Sequence, residues 1–233
     1  GISKSEVSRM CAALDAEVIN CGRRGDDFPA LRARFEERLA LEPDVVLYAM
    51  VLNDPERSEA FHARQRYVDD WILDRRRMVT EGDGAPAPGE PYLLALVRDR
   101  LEGARVGAAT TAWYRDMVGA PNRAGWEATL AHVEAMRDAM RARGGALLVV
   151  LWPLLVELDG DYPFEAVHET IRAALEARGF DFHDALPAFR GHAPASLWVH
   201  GADRHPNEHA HARFAAEVAP RLEAVLARRG DRT

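Results

Sequence analysis

Cysteine is nearly absent from this chain of 233 residues: Cys11 and Cys21 are its two. That is too few for a disulfide framework, and their spacing fits no metal knuckle, so both read as small buried hydrophobes. A basic surplus is missing as well. Thirty Lys and Arg stand against 37 Asp and Glu, for a formal net charge of -7. No broad basic surface is available for nucleic acid, and the run Arg75-Arg76-Arg77 reads as a solvated helix end. Long apolar runs are lacking too. Those around residues 45–52 and 146–153 are far shorter than the ~20 residues of a membrane span. No signal-peptide pattern opens the chain, which leans the expectation toward the cytoplasm. A start at Gly1 without Met leaves room for a removed leader or anchor, so the compartment stays open.

What is present is ordinary for a globular protein: 48% hydrophobic and 29% charged residues, enough for one sizeable core. Hydrophobic periodicity predicts the end of a helix over residues 6–14, a short strand at 17–20 and a glycine-punctuated loop after it. A helix over 28–40 follows, then a strand over 45–51 that is apolar on both faces, as in a sheet covered on either side. Residues 56–144 show no convincing strand and read as a helical insertion, broken by a Gly/Pro-rich loop at 81–91. Within it, Trp71, Ile72 and Leu73 suit either a core helix or a cap beside a cleft. A helix over 123–142, a strand over 146–152, a helix over 164–178, a short strand at 180–183 and a last helix from about Asn207 to Ala227 complete the pattern. Residues 185–203 read as irregular. Strands alternating with helices imply a parallel sheet in an α/β domain, with sites at the carboxyl ends of its strands.

Three strand-end segments carry polar chemistry. Asp203 and His205 stand two apart before the last helix; a carboxylate can fix the tautomer of a histidine base and stabilise its imidazolium. The same residues also suit a turn, with Pro206 opening a helix that Asn207 caps. Asn53, after the 45–51 strand, could aim its amide at an oxyanion, or with Asp54 and Pro55 start a helix. Gly25 could present a backbone N–H, or simply allow a tight turn. The run His205-Pro206-Asn207-Glu208-His209, with His211 beyond, imitates a zinc-binding pattern. That pattern needs both histidines on one continuous helix, and a residue before proline avoids helical angles, so a metal site is not expected. His168, His183 and His192 read as core or surface histidines, and Asp159, Asp161 and Asp184 as possible liners of a cleft mouth. Trp152 and the loop to Leu155 could shape an apolar acyl pocket.

Taken together and in this order, the segments resemble the SGNH (GDSL-type) hydrolases. Residues 18–25, Val-Ile-Asn-Cys-Gly-Arg-Arg-Gly, are similar to that family's glycine block. Pro43-Asp44-Val45-Val46 through Leu52-Asn53-Asp54 is similar to its asparagine block, and Asp203-Arg204-His205-Pro206-Asn207 to its histidine block. The resemblance implies a flavodoxin-like three-layer α/β/α sandwich with a central parallel sheet. It also implies ester hydrolysis through a Ser-His-Asp triad, with His205 as base, Asp203 as orienter, and Gly25 and Asn53 in the oxyanion hole. Substrates would be small-molecule, carbohydrate or lipid esters, with no metal or organic cofactor. The acid stands one position nearer the histidine than is usual in the family, which suits an O-acyltransferase as the alternative. No G-D-S turn occurs, and Ser3, Ser5 and Ser8 follow no apolar strand. The nucleophile is therefore expected upstream of Gly1; without one, the chain would be a binding or assembly module.

Overall fold

In the computed structural model, the residues described are 17–22, 28–63, 66, 70, 91–201 and 203–230. Contacts divide the chain into two compact units, residues 1–56 with 127–233, and residues 57–126.

The first unit is mixed α/β around a three-stranded parallel sheet. Its described elements begin with α1 (Phe28–Arg38), extended by a 3-10 turn (Leu39–Leu41), and β1 (Val45–Val51). Next come α3 (Arg123–Arg141), whose first four residues fall in the second unit, β2 (Ala146–Trp152), α4 (Glu165–Glu176), β3 (Asp181–Asp184), the single turn α5 (Leu186–Phe189) and a 3-10 turn (Pro194–Leu197). A short antiparallel ribbon of β4 (Trp198–His200) and β5 (Asp203–Pro206) leads into α6 (Glu208–Gly230). Helix α2 (Tyr92–Asp116) belongs to the second unit.

Strand order is β1-β2-β3, with Val45 opposite Ala146 and Val51 opposite Trp152, and Leu148 opposite Asp181. β2 runs through the centre and is buried from Leu147 to Trp152, as a continuous run of Leu and Val requires. Each such side chain removed from water contributes roughly 1.5–3 kcal/mol. β1 differs from its expected two-faced burial. Tyr48 and Met50 are buried, but Val45, Val46, Leu47, Ala49 and Val51 are only half-buried, and among the described residues β1 pairs on one side alone. Gly145 lets the chain turn tightly into β2: a Cβ there would stand 2.6 Å from Met140 Cε. α3 buries Leu130, Val133, Met136 and Met140 at helical spacing, and α6 buries Ala210, Phe214, Val218, Leu222 and Val225.

Residues 17–20 correct an expectation, for they form no strand. Asn20 Oδ1 accepts the N–H of Gly22 at 2.9 Å, a local turn that competes with sheet pairing, and Ile19 lies 54% exposed. The irregular stretch at 185–203 instead holds α5, the second 3-10 turn and β4. The expected 6–14 helix, the Trp71–Leu73 segment and the 81–90 part of the Gly/Pro-rich loop lie outside the described residues.

In the second unit, residues 59–63 are helical and α2 (Tyr92–Asp116) is its long helix. Phe61 stacks on Trp113 with ring centres 5.8 Å apart. Asn122, fully buried, accepts the N–H of Ser58 at 3.0 Å and donates to Met117 O at 2.9 Å. Along the first half of α2, Tyr92, Leu93, Leu94, Leu96, Val97 and Leu101 are exposed.

Candidate active site

The β4–β5 ribbon brings Asp203 and His205 together. His205 Nδ1–H donates to Asp203 Oδ1, and the His205 backbone N–H donates to the same oxygen at 3.1 Å. One carboxylate oxygen thereby fixes both the ring and the backbone of the histidine. The tautomer follows: with Nδ1 as donor, Nε2 carries the lone pair of a base. Both side chains are open to solvent, His205 at 70% and Asp203 at 51%.

Such short strands bury little, so neighbouring bonds hold the ribbon. Trp198 Nε1–H donates to Leu155 O at 2.7 Å, tying β4 to the loop that leaves the carboxyl end of β2. The Arg204 guanidinium lies 5.0 Å from the Trp198 ring centre. Asn207 Nδ2 donates to Ser196 O and Trp198 O, while its Oδ1 accepts the N–H groups of His209 and Ala210 at 3.0 Å. Asn207 is thus the cap of α6, as its residue type suggests. Pro206 lies in β5 rather than in the first turn of that helix. His205 is accordingly off the helix that carries His209 and His211, and no group of metal-ligating side chains occurs among the described residues.

Asn53 sits in a turn at the carboxyl end of β1, next in the sheet to the end of β2. It does not start a helix: residues 54–58 intervene, and Ser58 Oγ accepts the N–H of Phe61 at 3.4 Å as the nearer cap. Asn53 is exposed, and its amide makes no hydrogen bond among the described residues. Beside it, Asp54 Oδ2 accepts the Tyr48 O–H at 2.8 Å and the Val51 N–H at 3.0 Å. Burial pushes the Asp54 carboxyl up to about 6, although both bonds favour its charge, and burial likewise raises the Tyr48 phenol. Gly25 lies outside the described residues.

A second His–Asp pair occupies the interior. His168 Nδ1–H donates to Asp184 Oδ1 at 2.9 Å, and His168 Nε2 lies 3.4 Å from the Tyr162 hydroxyl. That hydroxyl accepts the Leu154 N–H at 3.0 Å. Arg172 donates to Asp184 Oδ2 at 2.8 Å, and the Leu186 N–H to Oδ1 at 3.0 Å. Burial alone would raise the Asp184 carboxyl, but His168, the Leu186 amide and Arg172 hold it below the usual range. His183 reaches Glu217 of α6 at 2.9 Å. Trp152 faces inward against Phe189, His211 and Phe214, with the Phe214 ring centre 4.0 Å away. An open depression of about 320 Å³ instead lies between the ribbon and the loop after β2, lined by Glu157, Asp159, Pro194, Trp198 and Arg204 among others.

The sequence suggests Asp54 only as part of a helix start and His168 and Asp184 only as separate residues, so the bonds on Asp54 and the buried His168–Asp184 pair come from the fold. A signal existed for the first: positions 48, 50 and 52 alternate onto the buried face of β1, and a buried phenol needs a hydrogen-bond partner. No helix among the described residues is long and apolar enough to cross a membrane. No family model, curated protein or solved structure matches this chain.

Proposed function

We propose that the chain carries the base, the acid and two oxyanion donors, Asn53 and Gly25, of a serine-dependent ester hydrolase built on a flavodoxin-like α/β/α sandwich. The observation that carries this is the Asp203–His205 pair, an oriented histidine whose Nε2 makes no hydrogen bond among the described residues. Its ribbon is tied to the carboxyl end of β2, and Asn53 stands at the carboxyl end of β1. Sites of parallel sheets form along that edge.

In this chemistry, His205 Nε2 takes the proton of a serine hydroxyl as its oxygen attacks the ester carbonyl. Asp203 stabilises the imidazolium that results. The Asn53 amide donates to the oxyanion, and the Gly25 N–H is the expected second donor. His205 then returns the proton to the departing alcohol, and water releases the acid by the same steps. Exposure of the pair suits a substrate that closes over it and excludes water on binding.

Hydrolysis of p-nitrophenyl acetate by the full-length protein tests the proposal, together with phosphonate labelling and mapping of the labelled serine. Acid release and a single labelled serine are expected, both lost in His205→Ala. A competing sugar or alcohol that diverts the acetyl group would mark a transferase. Absence of both short-ester turnover and serine labelling in the full-length protein would overturn the hydrolase reading.

A further inference from the structure

Granting the ester-hydrolase reading, on which this rests, we infer that Asp54 is a positioning residue that clamps the turn displaying Asn53 to the end of β1. One oxygen, Asp54 Oδ2, accepts from both the Tyr48 hydroxyl and the Val51 N–H, and the Asp54 N–H returns a bond to Val51 O at 3.0 Å. The chain between is thus closed into a turn by three bonds. Asn53 is its exposed residue, flanked by the fully buried Leu52.

The far side is tied as well. Glu56 N–H donates to the buried Thr129 Oγ1 at 2.7 Å, so residues 54–56 are held from β1 and from α3. Tyr48 is itself set in place: the Phe28 ring meets its edge at 5.8 Å, Phe28 stacks on His132 at 5.6 Å, and His132 Nε2 lies 3.3 Å from Glu56 Oε2. The path from Asp54 through Tyr48, Phe28 and His132 therefore returns to the chain two residues beyond Asp54. Beside this closed ring, the Asn53 amide makes no hydrogen bond among the described residues and is the group the turn presents to a ligand.

The carboxylate is held there against its own desolvation. An ionised Asp54 offers only acceptor positions, so its bonds to Tyr48 and Val51 are charge-assisted and stronger than those an amide would make. Donors in an oxyanion hole act through preorganisation, and displacement by about 1 Å can lower turnover about 100-fold. A clamp of this kind raises kcat without touching substrate.

The test is steady-state turnover of p-nitrophenyl acetate by full-length variants, well below their unfolding midpoints. Asp54→Ala should lower kcat about tenfold or more with KM changed less than about twofold, since an interaction realised in the transition state is lost. Asp54→Asn and Tyr48→Phe, which each keep part of the clamp, should fall between it and wild type. Should Asp54→Ala fail to fold, these two carry the comparison. Wild-type kcat in the Asp54 and Tyr48 variants, alongside a roughly 100-fold loss in Asn53→Ala, overturns the clamp while leaving the oxyanion hole intact. An unchanged kcat in Asn53→Ala overturns both.

Discussion

The molecule holds two histidine–aspartate pairs built from the same bond and set in opposite surroundings. In each, Nδ1–H donates to a carboxylate oxygen. His168 and Asp184 are 2% and 6% exposed, and every polar atom of the pair is engaged: Tyr162 beyond the ring, Arg172 and the Leu186 amide on the acid. His205 and Asp203 stand in solvent, and His205 Nε2 has no partner among the described residues. A closed pair can only hold structure, because a base whose lone pair is already used accepts no substrate proton. An open pair contributes little stability, because water screens it. Burial and the second nitrogen, rather than the pairing itself, separate a pair that holds structure from one with a lone pair open to a proton.

Removing each histidine is the sharpest way to break that comparison. His205→Ala should lower ester turnover by about 1,000-fold or more while leaving the unfolding midpoint nearly unchanged. Thermal unfolding and p-nitrophenyl acetate kinetics on the same sample check this. His168→Phe should do the reverse, costing about 3 kcal/mol of stability by stranding a buried carboxylate, with kcat per folded molecule retained. If His168→Phe abolished turnover at full stability, the roles would be exchanged.

Acid supplies the next contrast. The Asp184 carboxyl is depressed in the fold, so its stabilisation is present above the ordinary carboxylate value near 4 and is lost as pH falls through its folded value. Asp54 has the opposite sign. Raised to about 6 by burial, it favours the fold most when protonated, and that contribution is lost as pH rises from about 4 through 6. At 1.36 kcal/mol per unit, Asp54→Asn should gain up to about 3 kcal/mol at pH 8, with the gain vanishing near pH 4. Denaturant melts at the two pH values measure it. A variant that is more stable yet slower would mark Asp54 as a residue kept for positioning.

The sheet was legible because its signals are local. Val45–Val51 and Ala146–Trp152 are apolar runs bounded by Pro43-Asp44 and Gly144-Gly145, and both strands fall at those residues. Gly144 and Gly179 adopt φ of 70° and 67°, ending helices where their sequence position suggests. Residues 17–20 misled because two apolar residues, Val18 and Ile19, make a strand only when a neighbour supplies the other half of the ladder. The ribbon at 198–206 escaped notice because its strands are short and lack alternation. At the site, Asp203 and His205 were legible from adjacency. The bond from Asp184 to His168, 16 residues distant, and the link from Trp198 to Leu155, 43 residues distant, depend on tertiary packing that spacing does not encode.

Pro206 has a consequence for the unfolded chain. Its ring keeps His205 extended before any tertiary contact forms, and extended is the conformation His205 holds in β5. Much of the ordering entropy of that backbone is therefore already spent in the denatured ensemble, a saving of about 0.4–1 kcal/mol for such a restriction. A ribbon with little buried surface of its own can thus hold its histidine in register largely through covalent chemistry.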